Sequence, residues 1–250
     1  MLRLKRLLVF SLLAVCAISA FSFWAVRQPG VDARGAVTPP TRAGAKLEML
    51  STGITTAVNV TPSPDARWLI GAAEQTGIPA RALRAYVAAA ATANDSAPLC
   101  GIGWNTVAAV GAVESAHGTY GGGSLDTAGQ ASGPIVGPSL DGNGFAAIAD
   151  TDAGALDGDA RWDHAVGPMQ FIPSTWQLVA RDGNKDGTAD PFNIDDAALS
   201  AATYLCAHGR DLSTAQGWTD AIYSYNQSDP YIRQVRAQAT AYALTTGTAE

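Results

Sequence analysis

The chain has 250 residues, 47% of them hydrophobic and 15% charged, which is enough apolar matter for one sizeable core. All 22 acidic residues lie beyond Arg27 but only 12 of the 16 basic ones do, so the part after Arg27 carries a formal charge of −10. That balance excludes a nucleic-acid binder, which needs a positive face to release counterions, and argues against adhesion to anionic lipid by anything beyond the N-terminal segment itself.

The first segment, 1–27, reads as a signal anchor. Arg3, Lys5 and Arg6 precede an apolar run from 7 to 26, and 20 residues at 1.5 Å rise cover roughly 30 Å, the thickness of a bilayer's hydrocarbon core. The basic flank stays inside, so the rest is exported: a single-pass protein of the cell membrane with its main domain outside. A cleaved signal peptide, giving a secreted protein, is the competing reading. Cys16 follows Val15 rather than the small residue that a lipidation site requires. Residues 28–62, rich in Pro, Thr, Ala and Gly without helical periodicity, read as a flexible linker.

The domain is expected over 63–247. Ser63-Pro64-Asp65 is an N-cap followed by Pro at the first helical position, and Trp68, Leu69, Ala72 and Ala73 form the apolar stripe of the first helix. Gly77-Ile78-Pro79 breaks it and starts a second, alanine-rich helix ending near Asn94. A third runs from Trp104, with Trp104, Val107, Ala108 and Val110 as its buried face, to a stop expected at Gly118. Residues 118–165 are polar and Gly-rich. They carry no persistent pattern, so they read as a long irregular loop walling a cleft; a small β-hairpin within it is left open. Helices resume near 173, 195–207, 217–226 and 230–243, giving an all-α class with long loops. In an oxidising exterior Cys100 and Cys206, the two cysteines beyond the anchor, read as a disulfide; two buried free thiols are the alternative.

Chemistry points to Glu114, in V-E-S-A-H-G at the end of the third helix. Apolar neighbours and the negative end of the helix dipole both favour the protonated carboxyl, as a general acid near neutral pH requires; a solvated Glu at a helix end is the plain alternative. Gln170 interrupts the apolar stretch A-V-G-P-M-Q-F-I-P-S-T-W with a side chain suited to bonding a sugar. In Y-S-Y-N, Tyr225 and Asn226 put stacking and hydrogen bonding side by side. The run D-G-N-K-D-G-T-A-D matches the start of an EF-hand-like calcium loop: Asp182, Asn184 and Asp186 at positions 1, 3 and 5, Gly187 at 6, the Thr188 carbonyl at 7. Its end departs, since position 12 is Asn193; Asp196 is the expected closing carboxylate, and an Asp/Gly turn without metal is the alternative.

In chain order, with the acidic loop before Y-S-Y-N, the four motifs resemble the lytic murein transglycosylases, nearest to the membrane-bound type B family, over roughly 65–242. The resemblance implies a lysozyme-like helical domain acting on peptidoglycan glycan strands. It makes Glu114 the catalytic acid/base, puts Gln170 in the cleft with Met169 beside it, and makes Tyr225 and Asn226 a substrate pair. A structural calcium is implied, and a monomer is expected. Arg161 stands where that family often has Ser, nine residues before the glutamine. Hydrolysing glycosidases use two carboxyl groups, yet the matched motifs offer no second acid beside Glu114. The implied reaction is therefore non-hydrolytic, ending in a 1,6-anhydromuramyl product. The alternatives are a lysozyme-like hydrolase using Asp163 or Asp126, and a non-catalytic calcium-dependent wall-binding module.

Overall fold

The structure, a computed structural model, describes residues 66–144 and 146–247. The expected anchor, the linker and the Ser63-Pro64 cap lie outside those residues. Seven α-helices follow in order: α1 Ala66–Thr76, α2 Ala80–Ser96, α3 Trp104–Ser115, α4 Pro173–Val179, α5 Ile194–Leu205, α6 Ala215–Tyr225 and α7 Asp229–Gly247. Between α3 and α4 stand β1, Val136–Ser139, and β2, His164–Val166. No helix among the described residues is long and apolar enough to cross a membrane.

Two helix pairs organise the core. The first is α2 with α5; Ala82, Ala85, Ala89 and Ala93 of α2 and Ala197, Ala198, Ala201 and Ala202 of α5 are all buried. Small side chains on both faces let two backbones approach closely. The second pair is α3 with α7. Ring contacts fix its far end: Trp104 stands edge-on to Trp68 at 5.6 Å and stacks on Tyr242 at 6.3 Å. Trp218 of α6 donates its indole N–H to Thr106 Oγ1 at 3.0 Å, tying a third helix to α3.

The buried stripe expected on α3 is present, but Thr106, Ala109, Gly111, Glu114 and Ser115 are buried too, so α3 is the central helix rather than a surface one. Its stop also differs from expectation. Ala116, not Gly118, is the left-handed cap, at φ 51° and ψ 46°, and its N–H meets the Ala112 and Gly111 carbonyls. His117 and Gly118 continue at φ 63° and 79°.

The long segment is ordered by side chains. Asp150 accepts the amides of Asp152, Ala153 and Gly154; Asp152 those of Ala155 and Leu156; Asp157 those of Asp159 and His164. Such turns follow no apolar period. In place of a tight hairpin, a two-stranded antiparallel sheet closes over the long connection 140–163: β1 pairs with β2, Val136 opposite Val166 and Ser139 opposite His164, with an irregularity between. Cys100 and Cys206 are bonded, with Cα atoms 5.3 Å apart.

Candidate active site

Glu114 occupies the last turn of α3 and is 8% exposed. Its Oε1 accepts a hydrogen bond of 2.5 Å from the hydroxyl of Tyr231, itself 1% exposed in the first turns of α7. Burial pushes the Glu114 carboxyl up to about 8, and the Tyr231 hydroxyl pulls the other way by favouring the charged form. A carboxyl so placed holds a proton at neutral pH and can also lose it, the two states an acid/base residue passes through.

Three connections assemble the site around that carboxyl. Ser115 donates its hydroxyl to the Pro168 carbonyl at 2.6 Å and accepts the Gly118 N–H at 2.8 Å, fastening the end of α3 to the turn before α4. Gly167 has φ 75°, and a Cβ there would lie 1.8 Å from the Pro191 carbonyl oxygen, so only glycine fits this close crossing of the chain before α5. Tyr225 donates its hydroxyl to the Met169 carbonyl at 2.7 Å, bringing the end of α6 onto the same turn.

Of the expected substrate residues, Met169 is fully buried and presents its carbonyl to Tyr225, while Tyr225 packs on Phe171 at 5.7 Å and Tyr204 at 5.8 Å. Asn226, also buried, caps α6, its backbone N–H on the Ile222 carbonyl. Gln170 is half-buried at φ 49°, and its amide turns back to donate to the Gly167 carbonyl at 2.9 Å. Arg161 is exposed. Neither alternative acid is aimed at Glu114 by its hydrogen bonds. Asp163 accepts the N–H and hydroxyl of Thr151 in the long segment, and Asp126 accepts the Gln130 N–H.

In the expected calcium loop, Asp182 accepts the amides of Asp186 and Gly187, Asn184 Oδ1 that of Asp186, and Asp186 that of Thr188. The fully buried Asp196 reaches back to accept the amides of Gly183, Asn184 and Asp190. Asn193, standing where such a loop has Glu, caps α5 by accepting the Asp195 N–H. Among the described residues the acidic groups drawn within 4.8 Å of one another are Asp150, Asp152 and Asp163, in the long segment.

Sequence reasoning missed Tyr231 and Ser115. Tyr231, Ile232, Val235, Ala239 and Tyr242 follow the helical period of α7 and are all buried, so the pattern marks them as core. Nothing in that pattern marks one hydroxyl as the carboxyl's partner.

Fold and site together form a helical domain in which the buried carboxyl of Glu114 meets the Tyr231 hydroxyl. The family model described as Transglycosylase SLT domain matches residues 145–219, 75 of the chain's 250, and supports activity on peptidoglycan. That span holds Met169, Gln170 and the loop 182–190; Glu114 precedes it, and Tyr225, Asn226 and Tyr231 follow it. No curated protein and no solved structure matches the chain.

Proposed function

We propose that this protein is a lytic transglycosylase that cleaves the β-1,4 bond between N-acetylmuramic acid and N-acetylglucosamine, with Glu114 as its sole general acid/base. The observation that carries the reading is the carboxyl of Glu114, buried against Tyr231 and held protonated to about pH 8. Glu114 gives its proton to the bridging oxygen as the bond from muramyl C1 breaks. As carboxylate it then takes the proton of that sugar's 6-hydroxyl while the oxygen closes on C1. The acid is restored, no water is consumed, and the product is a 1,6-anhydromuramyl end. The 2-acetamido oxygen of the substrate supports the positive centre in place of a second carboxylate. The bonding of Asp163 to Thr151 and of Asp126 to Gln130 supports this over hydrolysis.

Gln170, Met169, Tyr225 and Asn226 belong to the proposal as the substrate-side residues. The membrane-bound type B assignment, an anchor in 1–27, a linker in 28–62 and action as a monomer belong to it as well. Calcium is proposed as a structural ion at Asp182, Asn184, Asp186, the Thr188 carbonyl and Asp196. The donors are all oxygen, as a hard cation prefers; Asp182, accepting two backbone amides, and Asp186, accepting one, keep acceptor positions to spare, and Asp196, accepting three, keeps one on Oδ2.

Glu114→Gln keeps the side chain's shape and removes the transferable proton. Muropeptide release from purified peptidoglycan is expected to fall by roughly two to four orders of magnitude, with folding and wall binding retained. Native products examined by mass spectrometry should be lighter by one water than hydrolysed ends. Substantial activity in the variant removes Glu114 from the central role; hydrated ends make the protein a hydrolase.

A further inference from the structure

His117 is a buried titratable side chain that the proposed chemistry leaves unused. It stands three residues after Glu114 at φ 63°, the second of three consecutive left-handed residues, and its N–H donates to the Gly111 carbonyl at 2.9 Å. Only the third of these is glycine, so the backbone at Ala116 and His117 needs contacts from elsewhere to hold it. The imidazole supplies them. Its Nδ1 lies 3.2 Å from the hydroxyl of Tyr86 on α2, and its Nε2 lies 2.9 Å from the hydroxyl of Tyr242 on α7. Gly111 makes room for this arrangement, because a Cβ there would sit 2.2 Å from the Tyr86 hydroxyl oxygen.

The helix that supplies Tyr242 also supplies Tyr231, whose hydroxyl meets Glu114. The end of α3 is thus held against α7 at two points, one on the acid and one on the turn behind it.

We propose that His117 is a positioning residue for Glu114: strapped between Tyr86 and Tyr242, it fixes the left-handed reversal that ends α3 and keeps the carboxyl buried against Tyr231. It acts as a fixed strut. Burial pushes its ring down to about 4, so at neutral pH one ring nitrogen donates and the other accepts, which matches two hydroxyl partners. With the strap released, the last turn of α3 frays and water reaches the carboxyl. Its desolvation then lessens and its acidity moves back toward the ordinary range. The proposal rests on the reading of Glu114 as the acid.

The test uses the full chain with His117→Phe, which keeps a ring and loses both hydrogen bonds, and Tyr242→Phe, which removes one hydroxyl. Rates are measured on soluble uncrosslinked glycan strands across pH. The carboxyl of Glu114 is also titrated directly by carbon NMR, which is tractable because the chain has only four glutamates, Glu48, Glu74, Glu114 and Glu250.

His117→Phe is expected to lower kcat roughly ten- to hundredfold with KM little changed, and to move both the alkaline limb and the NMR midpoint down by about one pH unit. Tyr231→Phe should move them up. A folded His117→Phe protein with native kcat and midpoint overturns the proposal, as does one that only melts earlier. If His117→Phe does not fold, Tyr242→Phe is read by the same criteria. Should Glu114→Gln prove active, the acid reading fails, while the NMR midpoints still decide the positioning.

Discussion

A single proton on Glu114 links activity to stability. The carboxyl's ordinary value is 4.5, and in the fold it is pushed up to about 8 because burial outweighs the Tyr231 hydrogen bond. Below pH 4.5 both folded and unfolded chains carry the proton, and folding is indifferent to it. Between 4.5 and 8 the unfolded chain gives the proton up while the folded one keeps it, so stability falls as pH rises, and the loss levels off above 8. A shift of that size corresponds to on the order of 5 kcal/mol. Glu114→Gln has no proton to lose, and the other titrating groups are shared, so the difference in melting temperature between variant and native isolates this one site. It should widen in the variant's favour by about 10 °C from pH 5 to pH 8, taking roughly 2–4 °C per kcal/mol. An equal gap at both pH values would mean that the folded carboxyl titrates normally. The apolar residues around Glu114 made its importance legible in the sequence. The Tyr231 hydroxyl did not show, because it arrives 117 residues later on a helix whose period marks only core.

At the scale of elements, period and breakers found the helices because each buries a stripe, as α2 and α7 do. They misplaced the end of α3, where tertiary contacts of Ser115 and His117 hold Ala116 in a conformation that alone would favour glycine. They were silent on residues 118–165, where aspartates bonding nearby amides replace periodic burial. The loop 182–190 was legible as oxygen donors in sequence, and the fold adds that Asp196 reaches its amides from α5. Asp182, Asp186 and Asp196 bring like charges to one loop, and burial pushes the Asp196 carboxyl up, so a cation is expected to relieve both. Extracellular calcium loops bind with dissociation constants on the order of 0.1–1 mM. At one hundred times that constant, binding to the folded state alone stabilises by roughly 2.7 kcal/mol, or about 5–10 °C. Thermal unfolding of the native protein should therefore rise through millimolar calcium and that of Asp186→Ala should not, with kcat unchanged once the protein is folded. Flat curves for both would make the segment a turn that Asp196 closes unaided.

Across the whole molecule, the disulfide joins what the helices already pair. Cys100 lies between α2 and α3 and Cys206 caps α5, and the Cys100 carbonyl accepts the Leu212 N–H at 2.6 Å, so both ends of the cross-link sit against the α2–α5 pair. Cysteine counting anticipated the bond, because the two cysteines beyond the expected anchor leave one pairing for an exported domain. The order of the elements also places the bond at the start of α3, where the chain enters the helix, and so at the opposite end from Glu114 in its last turn. That placement separates its effects. With a sequence separation of 106 between the cysteines, the cross-link removes loop entropy from the unfolded chain, and the chain-entropy model gives roughly 4–5 kcal/mol at most. The native contacts of α2 with α5 and of α3 with α7 do not need it. Replacing both cysteines by serine should therefore leave a folded protein with the native kcat at 25 °C, a lower denaturant midpoint, and a steeper dependence on denaturant as the freed unfolded chain exposes more surface. Comparing urea unfolding of the variant with oxidised and reduced native protein checks this. Reduced protein should behave as the variant does. An unchanged midpoint in all three would show that the unfolded chain gains no freedom from losing the bond, and loss of kcat with folding intact would show that the cross-link acts on the site.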